Sequence, residues 1–197
     1  MASLRNNEPV EPVRTGDDAL LDAGRASILA VGWRRSTLTD VARRAGVSRM
    51  TLYRRWPDMA TLLADVMARE WSGLALDPDG DGPAPRRIAT GVAGAVAALR
   101  DNELFRKIVT VDPELLLPYL LDRRGRTQDA LLGRLESAVR EGQAAGEVRR
   151  GDTGLLARSV LLASYGCAFS AGTMTDGAGE AALDGELRTL VERYLAP

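Results

Sequence analysis

One stretch constrains this chain more than any other: residues 37–59, TLTDVARRAGVSRMTLYRRWPDM. Its punctuation is that of two short helices joined by a tight turn. Thr37 is followed three residues later by Asp40, a capping-box spacing with an acid in the usual Glu or Gln position, so a helix should start near Leu38. Val41 and Ala42 face inward, and Ala45 closes the helix. Gly46 takes the next position, where a left-handed backbone suits glycine. Val47 is the expected buried pivot of the turn. Ser48 can cap a second helix, from Arg49 to about Trp56. Pro57 stops it, because proline disfavours helical geometry in the residue before it. Leu52 and Trp56, four apart, share one inward face. Asp58 offers the cap of a further helix.

The outward positions of the second helix are Arg49, Met50, Thr51, Tyr53, Arg54 and Arg55. No acid lies between Val41 and Pro57, whereas Arg43, Arg44, Arg49, Arg54 and Arg55 do. A short helix held across another can enter the major groove of DNA. Its first residues then meet base edges while flanking polar groups reach phosphates, and arginine is the commonest reader of guanine. Charge is distributed to match. Residues 25–58 hold eight arginines against two acids, a surplus of six; with a net charge of −1 overall, the remainder sums to −7. One end suits a polyanion and the rest does not.

The run AGVSRMTLYRRW, preceded by TLTDVA, resembles the DNA-binding domain of TetR-family transcriptional regulators, over roughly residues 17–70. The resemblance implies an all-α fold: a three-helix N-terminal helix-turn-helix domain (17–57), a connecting helix (58–76) and a helical ligand-binding and dimerisation domain (77–197), after a disordered tail (1–16). It further implies phosphate contacts from Tyr53 and Thr37, and DNA contacts from Ser48 and the outward face above. Two departures stand out. Trp56 occupies a position usually held by Phe. Met59 stands where the family has a phosphate-binding Lys.

Composition removes other classes. There is no His, and Cys167 is alone, which excludes an internal disulfide, a Cys/His zinc site and any His-based triad. No serine or cysteine has a base at motif spacing and the carboxylates are dispersed, so no enzyme, metal or cofactor is expected. A calcium-loop opening, Asp77, Asp79, Asp81 and Gly82, lacks its closing Glu, because that position is Ile88. A solvated acidic loop at 77–85 is the better reading. Residues 1–14 carry no apolar core, and no apolar run reaches the ~20 residues that span a bilayer. A cytoplasmic protein that does not enter the membrane is therefore expected. Arg5 and Arg14 permit a minor-groove arm, though Glu8 and Glu11 weaken it.

The rest is helix after helix. An amphipathic helix over 17–31, with Ala19, Leu20, Ala23 and Ile28 inward, ends at Gly32; Trp33 belongs to the core. Further helices follow over 86–99, 102–110, from a cap at Asp112-Pro113, over 127–145, over 152–171 with Asp152 as its cap and the apolar stretch from Leu155, and over 180–195. Arg123, Arg124 and Arg126 form a basic knot around Gly125, the solvated start of a helix. The last two helices are wide enough in apolar surface to pair with a second copy. One reading domain buries little surface, so a homodimer on a palindromic double-stranded operator follows, with reading helices ~34–36 Å apart. Trp71, Leu74, Phe105, Tyr119 and Tyr165 are candidates for an effector pocket by position and size. With no His and few charges near them, an uncharged or lipophilic small molecule is expected. The alternative function is a helical interaction module whose arginine face binds acidic protein.

Overall fold

The computed structural model describes residues 16–72, 81–177 and 179–197. Among them all regular structure is helical. The N-terminal part holds α1 (Gly16–Val31), α2 (Leu38–Ala45), α3 (Arg49–Tyr53) and α4 (Met59–Ser72). Then come α5 (Ala84–Asp101), α6 (Glu103–Val111), a 3-10 turn (Pro113–Leu115), α7 (Leu117–Leu121), α8 (Arg126–Ala144), α9 (Thr153–Ser170), a second 3-10 turn (Ala171–Thr173) and α10 (Glu180–Leu195).

Two cores form. The first is built by Leu20 and Ile28 of α1, Val41 of α2, Leu52 and Trp56, Leu62 and Val66 of α4, and Leu104, Phe105 and Ile108 of α6. α4 and α6 thus share a core with the helix-turn-helix. Gly24 lets α1 and α4 approach: a Cβ there would sit 3.3 Å from Leu62 and Val66. The second core gathers α5, α8, α9 and α10 around Val92, Leu135, Val139, Leu156, Val160, Leu187 and Val191.

Several elements differ from the sequence reading. α3 closes at Tyr53 rather than Trp56, although Trp56 N–H still donates to Leu52 O at 2.9 Å, so the chain stays coiled up to Pro57. Ala19 is exposed and Val47 is half-buried, since the turn lies at the rim of the first core. α5 begins at Ala84, with Pro85 in its first turn, where a missing N–H costs nothing. α9 begins at Thr153 behind the expected cap, with Asp152 Oδ1 accepting the Leu155 N–H at 2.6 Å. The 73–76 end of the connecting helix, Asp77 and Asp79 of the acidic loop and the tail through residue 15 lie outside the described residues. The segment Thr153–Thr173 is long and apolar enough by composition to cross a membrane, with mean hydropathy 1.3 and a third of it buried. A count of consecutive apolar residues misses this run, because Gly, Ser and Thr interrupt it; four leucines, four alanines, Val160, Cys167 and Phe169 against one charge, Arg158, keep the average high.

Asp112 departs furthest from expectation. It caps nothing with its side chain. Its carboxylate is instead buried, 2% exposed, and Oδ2 accepts the Trp33 N–H at 2.8 Å, across from the α1–α2 turn. Gly32 in that turn has φ +82°, and a Cβ there would stand 3.2 Å from the same oxygen. Next to it Arg34 pairs with Glu114 at 2.6 Å. The end of α6 therefore clasps the start of the helix-turn-helix.

Candidate nucleic-acid interface and internal cavity

The reading unit is set by local caps. Thr37 Oγ1 accepts the Asp40 N–H at 3.1 Å and starts α2. Gly46 at φ +70° ends it, its N–H donating to Ala42 and Arg43 carbonyls. Ser48 Oγ accepts the Thr51 N–H at 3.1 Å and starts α3. Asp58 Oδ1 accepts both the N–H and the hydroxyl of Thr61 and starts α4. The backbone N–H of Thr61 is the main reason the Asp58 carboxyl sits below its ordinary pKa.

The predicted contact residues divide into two sets. Arg49, Met50, Tyr53 and Arg54 project outward, with Met50 75% and Tyr53 46% exposed. Among the described residues no carboxylate pairs with Arg44, Arg49 or Arg54. The others are engaged within the protein. Arg55 forms an ion pair with Asp17 at the start of α1. Thr51 and Ser48 hydroxyls bond each other at 2.9 Å. The Thr37 hydroxyl spends its one proton on Asp40 Oδ2 at 2.6 Å, the chief cause of that carboxyl's lowered pKa. Arg43 also pairs with Asp40, at 2.7 Å. Met59 lies half-buried against the first core.

Between the two cores lies a cavity of about 490 Å³, within the range of small-molecule sites. Trp71, Phe105, Tyr119 and Tyr165 all line it. Leu74 lies outside the described residues. Sequence reasoning missed Phe169, hidden in a helix apolar on every side, whose ring packs against Phe105 at 5.4 Å, tilted by 54°. It also missed Gln128. The Gln128 amide donates to Tyr165 OH at 2.7 Å and to Tyr119 O at 3.0 Å, while its oxygen accepts the Gly125 N–H. Tyr165 OH accepts in that bond, which leaves its own proton to donate, and burial raises its pKa. The basic knot is the exposed start of α8, as expected, and Arg123, Arg124 and Arg126 also border the cavity.

Residues 20–66 match the family model for bacterial regulatory proteins of the tetR family. An uncharacterised HTH-type transcriptional regulator of Mycobacterium bovis is 31% identical over 176 residues, spanning 89% of this chain and 92% of that protein. Two solved structures share the fold. FadR from Bacillus subtilis, in complex with stearoyl-CoA, superposes with a TM-score of 0.66 at 16% identity, covering 90% of this chain and 98% of that one. A TetR regulator from Streptomyces fradiae gives 0.66 at 19% identity, covering 92% and 87%. With its helix-turn-helix, its helical second half and these relatives, the chain belongs to the TetR family of DNA-binding transcriptional regulators.

Proposed function

We propose that the protein is an effector-responsive repressor that binds a palindromic operator as a homodimer. The observation that carries the reading is the cavity, walled by α4 and α6, which also build the core of the reading unit. A molecule seated there touches Trp71, Phe105 and Met67, and therefore the helices that set the tilt of α3. The Bacillus subtilis neighbour holds an acyl-CoA, in keeping with an apolar-bodied effector here.

Arg49, Met50, Thr51, Tyr53 and Arg54 are the residues proposed to meet DNA directly. Ser48 supports them as a cap. Thr37 and Arg55 reach phosphates only by exchanging Asp40 and Asp17 for them. Pairing runs through α9 and α10. Leu155, Leu162 (69% exposed) and Leu190 stand outward while Leu156, Val160, Leu187 and Val191 face the protomer's own core. An apolar face of this kind argues for a second copy.

The test is light scattering together with DNA titration, using DNA selected in vitro from random sequence. A mass of two protomers, a palindromic consensus, and a monomeric Leu162→Glu variant that has lost DNA affinity are expected. Arg49→Ala should lose about 1–3 kcal/mol on the selected sequence and relax preference at one base pair per half-site. A monomeric wild type at micromolar concentration overturns the dimer. Equal weakening of selected and scrambled DNA by Arg49→Ala reassigns Arg49 to a phosphate.

A further inference from the structure

Arg126 opens α8, lines the cavity and forms an ion pair with Asp65 on α4. The other oxygen of Asp65 accepts the indole N–H of Trp56 at 2.7 Å. Trp56 lies three residues beyond the end of α3, joined to it by the Trp56 N–H to Leu52 O bond, and is 4% exposed. One carboxylate thus joins the cavity rim to the end of the reading helix. The join exists because this chain carries Trp where a Phe would offer no N–H. Burial of Asp65 works against its ionisation, but the bonds from Arg126 and Trp56 and the Arg126 charge outweigh it and hold its pKa down.

The rim around Arg126 is cationic. The charged residues lining the cavity are Arg123, Arg124, Arg126 and Asp58, three cations against one anion. Asp58 is committed to Thr61 at the start of α4. Arg124 pairs with exposed Asp129 at 2.7 Å. Arg123 lies over the Tyr119 ring at 5.4 Å, and among the described residues no carboxylate pairs with it. Away from this rim the wall is apolar and aromatic, with Leu99, Phe105, Leu135 and Phe169. An oily chamber with guanidinium groups at one side matches an amphiphile bearing a negative head. A carboxylate matches the fork of a guanidinium in a bidentate pair.

Resting on the effector-responsive reading above, we propose that the effector is a lipophilic carboxylate whose head group takes Arg126 from Asp65. Its tail occupies the aromatic chamber. Arg123 supplies the second cation. Asp65, left without its partner, no longer fixes α4 and Trp56 together against α8, and the reading helix loses its set position. Ligand and Asp65 compete for one guanidinium, so binding and DNA release are coupled through that exchange.

The probes are laurate, 1-dodecanol and dodecylammonium, each below its micellar concentration. Binding is measured by titration calorimetry and DNA release by anisotropy on the selected operator. Wild type should bind laurate at least about tenfold more tightly than dodecanol, as charge-assisted bonds require. Laurate should release DNA. Arg123→Gln and Arg126→Gln should each erase the preference for laurate over dodecanol. Asp65→Asn carries the decisive signature: laurate binds it more tightly than wild type, because the competitor is gone, yet releases DNA less. A mere loss of packing would weaken both. Dodecanol or dodecylammonium binding as tightly as laurate overturns the head-group assignment while leaving effector response standing. No binding by any of the three overturns the lipophilic carboxylate. Laurate binding without a change in DNA affinity overturns effector response at this cavity as well. Asp65→Asn binding laurate more weakly than wild type overturns the exchange alone.

Discussion

Asp112→Ala is the sharpest test of the clasp between α6 and the helix-turn-helix. The carboxylate is 2% exposed and accepts the Trp33 N–H at 2.8 Å; Arg34 Nε stands 4.0 Å from its other oxygen. Truncation removes a hydrogen bond to a charged acceptor and leaves the Trp33 N–H without that partner in a part-buried turn. Such a bond contributes about 1.5–3 kcal/mol, and relief from burying the carboxylate offsets part of it, so a loss of about 2 kcal/mol is expected. For a chain of this size each kcal/mol moves the melting temperature by about 2–4 °C, which places the variant about 4–8 °C below wild type. Asp112→Asn retains an oxygen acceptor and the shape, and should lose about half as much. Calorimetry measures the shift, and amide exchange at Trp33 measures the clasp itself: its protection should fall in Asp112→Ala while that of Val139, in the second core, holds until global unfolding. A variant melting within about 1 °C of wild type, or unchanged Trp33 exchange, would show that α6 is held by the apolar contacts of Leu104, Phe105 and Ile108 alone.

Other expectations follow from packing and charge. A Cβ on Gly142 would stand 2.4 Å from Val148 Cγ2 and 2.9 Å from Ala84 Cβ, so Gly142→Ala should cost about 1–3 kcal/mol, read as a lower denaturant midpoint at unchanged slope. Arg100 has a side chain only 10% exposed and bonds Asp184, Glu180 and the Cys167 carbonyl. Arg100→Ala strands Asp184 and should cost about 3–5 kcal/mol, seen in the same assay. The pKa of Asp65 is lowered in the folded state, so its contribution is complete above the ordinary aspartate value of 3.8 and disappears as pH falls through the lowered one. The stability gap between wild type and Asp65→Asn should accordingly stay constant at neutral pH and close in acid; a gap that widens in acid would refute the sign.

The reading unit was legible because its boundaries are set within three or four residues. Thr37, Gly46, Ser48 and Asp58 each act on a neighbour, and each does so as its residue type dictates. The same local logic misplaced Asp112. As Asp before Pro it has the form of a cap, but its carboxylate serves Trp33, 79 residues away, and no local pattern encodes such a partner. Asp65 and Arg126 are 61 residues apart, and the arginine knot carries the signs of a solvated helix start unless the cavity beside it is known. α9 resisted for a different reason. It is apolar nearly all round, so periodicity gives no preference between Leu156 and Leu162, yet one is buried and the other exposed. Of the pocket, the large aromatics were found by size, while Gln128 and Phe169 needed the fold.

The ion pairs at the reading surface bear on how the protein searches a genome. On the proposed DNA-facing surface, Arg43 and Arg55 are already paired with Asp40 and Asp17. A phosphate that captures either must displace an internal carboxylate, so the exchange yields little beyond the counterions released. The steepness of the salt dependence counts net charges gained, about 0.9 per phosphate. It should therefore track Arg44, Arg49 and Arg54 rather than all five arginines between Val41 and Pro57. If α3 reads DNA as proposed, random DNA should hold the protein loosely, and the outward side chains of α3, rather than bulk charge, should decide where it stops.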